Sequence, residues 1–289
     1  MQVVKAIFVG RDGLRAGWRA LLYLVGAMAV QLGLQFLVLG LGYKPAAGFD
    51  PVDFIVSDGI GLVAALVAAL VAARLERRSL VDYYITPRMA FRGSYWEGWG
   101  WGLGAVALLM AMIVAAGGAT ISGFALHGNT LLRYALLWLV SMIILGLFEE
   151  FAFRGYLVAS LARGLGFWGS ALVTSAFFGA LHYFTKPMEN WVDALSVSLI
   201  ALFLCASIVR TGDLWFAAGF HAAFDFFALS VLGAPNTGNN GQPITNHLVA
   251  ARFHGSDWIT GGVRGIEASI FVFVVIAVLF ALLPLRFRK

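Results

Sequence analysis

Residues 134–163, YALLWLVSMIILGLFEEFAFRGYLVASLAR, decide how this chain folds, because two apolar runs flank Glu149, Glu150 and Arg154. If a helix stopped at the acidic pair, those carboxylates would sit at a membrane surface. The following stretch, GYLVASLA, is itself apolar, so the helix is predicted to continue to Arg163. At 1.5 Å per residue, Glu149 then lies about 21 Å from the Arg163 end, deep in a hydrophobic layer.

The rest of the chain has the same character. It is 61% hydrophobic and 12% charged, and it repeatedly runs apolar over the roughly 18 residues that cross a bilayer. The fold class predicted is all-α, a polytopic membrane helical bundle of about eight transmembrane helices. The spans are expected near 18–42, 53–73, 97–117, 134–162, 166–185, 192–210, 213–232 and 265–285. The 289 residues are read as one membrane-embedded domain, with the chemistry-bearing core at about 134–232. The first span is too long for a signal h-region and reads as a retained anchor.

Charge sets the expected orientation. With both termini cytoplasmic, 15 of the 20 basic residues fall on the inside and 5, Lys44, Arg133, Lys186, Arg252 and Arg264, on the outside. The inner segment 74–97 carries the Arg, Tyr and Trp content of a headgroup-level loop, and 233–262 is the long polar loop outside. The net charge of +5 is thus topogenic, and no basic patch with interleaved aromatics points to nucleic acid. One cysteine, Cys205, excludes a disulfide framework and a cysteine metal cluster. The glycines at 98, 100, 102 and 104 read as a close-approach surface for another helix. The absence of a sustained internal repeat weighs against a transporter built from inverted halves.

Ionisable groups at bilayer depth cost at least ~2.5 kcal/mol each and call for a partner or a function. Those singled out are Glu149, Glu150 and Arg154 in span four, His182 in span five, and His221 with Asp225 in span seven. Glu150 and Arg154 are four apart with the acid first, the order that favours an ion pair. His221 and Asp225 share a helix face by the same spacing, as do Phe178 and His182. A buried carboxylate beside an imidazole suits water activation, and a second histidine held by Asp225 suits donation to an oxyanion. Glu149, His182 and His221 also form a candidate metal set, so zinc and a metal-free site both stand.

In order and spacing, EEFAFR (149–154), FGALH (178–182) and HAAFD (221–225) resemble the EExxxR, FxxxH and HxxxN/D motifs of the CPBP family. These are the CAAX-processing and bacteriocin-processing (Abi) intramembrane proteases. The resemblance implies an endopeptidase in a membrane cavity open to the cytoplasm, acting on a membrane-associated peptide or protein, lipidated in the prenyl-protein branch. Carried over to this chain, Glu149 and His182 activate water, His221 and Asp225 form the oxyanion site, and Glu150 with Arg154 supports Glu149. Both metal-dependent and glutamate-type members are described. Asp225 departs from the Asn of the prenyl-protein branch, and the expected role of its charge is to orient His221. The expected location is a prokaryotic cytoplasmic membrane. Two other classes fit the same residues: a noncatalytic binding or scaffold protein, such as one giving bacteriocin immunity, and a proton-coupled transporter.

Overall fold

The computed structural model describes residues 9–10, 13–46 and 48–288. Lys5, Arg11 and Lys289, counted above as inside charges, lie outside the described residues. Two-residue strands β1 (Val9–Gly10) and β2 (Gly13–Leu14) pair before the first helix. The long elements are α1 (Ala16–Gly40), α2 (Pro51–Glu76), α3 (Gly93–Ala115), α4 (Gly128–Glu150), α5 (Tyr156–Thr185) and α6 (Trp191–Thr211). The short α7 (Trp215–Asp225), a single turn α8 (Asp257–Thr260) and α9 (Phe271–Arg286) complete the helices. This is an integral membrane bundle, and its outer helices show why. On α1 only Ala20 and Tyr23 are buried, while Leu22, Met28 and Phe36 face outward. Such a surface is solvated by acyl chains, not water.

Local sequence explains the boundaries. The Asp50 carboxylate accepts from the Val52 amide with Pro51 at the first position, starting α2, and Arg77 ends it in the left-handed region. Asn190 and Asp193 form a reciprocal capping box at the start of α6, and Gly212, at φ 86°, ends it.

The stretch that opened the reading is helical throughout, as predicted, but not uniformly α. The backbone widens into a π segment at Phe151–Gly155, directly after Glu150, and a second π segment, Phe226–Val231, directly follows Asp225. Neither is visible in the apolar pattern. The helix breaks at Gly166, where φ is 70° and ψ 166°, so α5 contains two segments meeting where the fifth span was expected to start. Counted this way, the described residues hold eight apolar helical segments. The last begins at Phe271, six residues later than expected, because tight turns at Gly262–Arg264 and Ile266–Ala268 precede it. The outer loop is also more ordered than its composition suggests. In it β4 (Val249–Phe253) pairs antiparallel with β3 (Ala119–Phe124), and the Trp138 indole donates to the Thr245 carbonyl.

At the centre stands α7, packed along α3. A Cβ at Gly98 would sit 2.1 Å from the Phe216 carbonyl oxygen, one at Gly102 2.4 Å from that of Phe220, and one at Gly219 2.0 Å from that of Tyr95. Gly100 and Gly104 face open space. The expected close-approach surface is therefore the 98/102 stripe. Gly98→Ala is expected to lower stability by about 3 kcal/mol through forced separation of the backbones. Gly100→Ala is expected to change it by less than about 0.5 kcal/mol, and thermal unfolding in detergent compares the two.

The bundle has two distinct ends. At one, Glu76 meets Arg19, Arg163 and the Tyr156 hydroxyl, the Trp215 indole donates to Thr86, and Arg286 meets Glu97. At the other, Thr245 donates to the Phe49 carbonyl, Arg264 meets Asp193, and Lys186 meets Glu189.

Candidate active site

Along α7 every residue from Trp215 to Phe224 is buried except His221. That exception exists because His221 looks into a cavity of about 260 Å³, lined also by Glu149, Arg154, Phe178, His182 and Asp225. Convergence of the three sequence motifs on one space, expected from helical rise alone, is thus what the fold produces.

Glu150 and Arg154 form the foundation. The Arg154 Nη1 donates to Glu150 Oε1 at 2.9 Å, and the two side chains are 0% and 2% exposed, respectively. The guanidinium also lies over the Phe178 ring, 4.4 Å from its centroid. Glu150 has a second function that the spacing did not reveal: its Oε1 receives His221 Nδ1 at 2.7 Å. The expected orienting partner, Asp225, meets His221 on the other ring nitrogen, Oδ2 to Nε2 at 3.3 Å, and Glu149 Oε2 lies 3.4 Å from the same nitrogen. His221 is therefore gripped through Nδ1 by the buried ion pair and faces two acids through Nε2. Donation from Nδ1 to Glu150 fixes the ring; an imidazolium then donates to Glu149 or Asp225, while a neutral ring accepts from whichever of them carries a proton.

His182 occupies a separate wall. Its Nδ1 bonds to the Phe178 carbonyl at 3.1 Å, one helical turn back, and its ring packs against Phe178 at 4.5 Å between centroids. With Nδ1 as donor, Nε2 is left as the acceptor.

Three further ionisable groups line the cavity and were not singled out: Asp58 on α2, Lys186 just past α5, and Glu267 before α9. Asp58 is an acid inside the second apolar run, so the criterion applied to Glu149 finds it too. Its Oδ2 is buried without a hydrogen-bond partner. Lys186 and Glu267 belong to segments assigned to the surface, and only the fold brings them in.

The candidate metal set was Glu149, His182 and His221. Among the described residues no group of three or more His, Cys, Asp or Glu side chains is arranged to hold a metal ion. Both ring nitrogens of His221 are committed to carboxylates, and His182 holds to its own helix. As arranged, the residues are not a metal cage.

Residues 131–227 match the family model described as Type II CAAX prenyl endopeptidase Rce1-like. No curated protein matches the chain. The matched segment runs from α4 into the second π segment and contains all three motifs, and it identifies this membrane bundle as a member of the CAAX protease family.

Proposed function

We propose that the chain is an intramembrane endopeptidase of the glutamate type, cleaving a peptide bond in a membrane-associated substrate. The observation that carries this reading is the convergence of Glu149, His182, His221 and Asp225 on one cavity, above an ion pair that fixes two of the helices. A water between the Glu149 carboxylate and His182 Nε2 gives up a proton to one of them, and its oxygen attacks the scissile carbonyl carbon. His221 Nε2–H donates to the oxyanion that forms. As the C–N bond breaks, the proton held by the base passes to the leaving amine. Glu150 and Arg154 are positioning residues: they hold the His221 ring and do not touch the reacting atoms.

In this scheme Asp225 orients His221 and favours its charged form. Because Glu150 still grips the ring, Asp225→Asn is expected to lower kcat only about 10- to 100-fold with an unchanged fold. Full activity in that variant would rule out a need for the negative charge.

The experiment for the function itself compares new protein termini in membranes of cells expressing wild type or Glu149→Gln at equal levels, followed by cleavage with purified components and chelator. A terminus dependent on Glu149 and retained in chelator supports the reading. Loss of cleavage in chelator replaces it with a metal-dependent one, and an unchanged phenotype in Glu149→Gln without any new terminus replaces it with a binding scaffold.

A further inference from the structure

The two ends of the bundle differ sharply in charge. Setting aside the buried Arg154, eleven described basic residues, from Arg15 to Arg288, lie at the end that holds Glu76 and Thr86, and five lie at the other. Basic residues concentrate on the cytoplasmic side, so the first end is cytoplasmic.

The cavity belongs to the opposite end. Its lining outside the long helices comes from Phe49, Lys186, Asn236, Gly238 and Glu267, all at the less basic end. The two rim loops are tied to each other and to the helix ends: Thr245 Oγ1 donates to the Phe49 carbonyl at 2.8 Å, and Thr237 Oγ1 to Glu189 at 3.1 Å. Toward the basic end the cavity has a floor. Beneath the Glu150–Arg154 pair lies a buried layer of Ile85, Tyr95, Leu147, Phe151 and Trp215, in which Trp215 packs on Phe151 at 5.7 Å and on Phe91 at 5.5 Å. Cytoplasmic termini and a cytoplasmic cavity mouth, both expected from the sequence stage of reasoning about charge and resemblance, are incompatible in this fold.

We propose that the cavity opens to the extracytoplasmic face, so that the substrate is a peptide segment presented outside the cytoplasm, on an exported or membrane-anchored protein. That it is a substrate rests on the peptidase reading; the side on which the cavity opens does not. The occupant enters past Phe49 and Asn236, and a cytosolic lipidated tail has no path through the aromatic floor.

The test uses the full chain with Cys205→Ala, since Cys205 is the chain's single cysteine and is buried. Single cysteines are placed at exposed Gln242 beside the rim, at exposed Arg88 on the basic end, and at rim residue Asn236. Each is treated with a membrane-impermeant maleimide in intact cells and after permeabilisation. Modification of Gln242→Cys and Asn236→Cys in intact cells, with Arg88→Cys modified only after permeabilisation, is the expected pattern. The reverse pattern overturns the proposal, as does protection of Asn236→Cys in intact cells with modification from the cytoplasmic side. None of these readouts depends on cleavage, so a failure of the peptidase reading, seen as equal termini in wild type and Glu149→Gln, remains distinct from a failure of this one.

Discussion

Glu149→Gln is expected to lower kcat about 10³-fold, within the range seen when a general base is removed, while KM and thermal stability stay near wild type. The substitution keeps size and shape and removes only the capacity to take a proton. Glu149 has no role in the buried ion pair, which runs between Glu150 and Arg154, so the fold does not depend on its charge. The contact it does make, 3.4 Å to His221 Nε2, is longer than the 2.7 Å bond from Nδ1 to Glu150 that fixes the ring. Single-turnover cleavage of the terminus-defined substrate separates the outcomes. A loss confined to kcat places Glu149 on the reacting water, whereas a rise in KM alone makes it a binding group.

Arg154→Ala should act through the fold. Removing the guanidinium leaves Glu150, with 0% side-chain exposure, as an uncompensated buried acid that still faces His221, and breaking a buried pair from one side costs about 3–5 kcal/mol. The Phe178 ring loses its cation partner as well. The double variant Glu150→Gln/Arg154→Met is expected to recover much of the stability, because no buried charge remains, but not the activity, because His221 loses its carboxylate anchor. Thermal unfolding and cleavage measured on both variants check this. If the single variant were as stable as wild type, the pair would not be the foundation that its burial suggests.

How much of this was legible in the sequence follows from which interactions are local. The apolar runs, the Gly98/Gly102 stripe and the i, i+4 pairing of Glu150 with Arg154 depend on residues close in the chain, and the spacing reveals them. The depth of His182 and His221 was legible too, because rise per residue converts chain position into height. The bond from His221 to Glu150 was not, since it spans 71 residues and depends on the rotation of α7 against α4. Asp58 was within reach of the same rule that found Glu149. The cavity's sidedness required both kinds of information: the charge distribution orients the bundle, and only the packing shows which loops reach the mouth.

The π segments at 151–155 and 226–231 also bear on how this protein tolerates changes in length. A π turn holds one residue more than an α turn, so each segment stores a one-residue surplus immediately after a cavity acid. Losing a residue there lets the helix relax to α geometry, which rotates everything beyond it by about 100° and draws it back about 1.5 Å. After Glu150 that rotation carries Arg154 away from its partner; after Asp225 it turns Leu229 and the loop leading to Asn236 out of the cavity wall. Substitutions that keep an apolar surface are absorbed by lipid along most of the chain, but at these two places residue number itself is constrained, whatever the residues are.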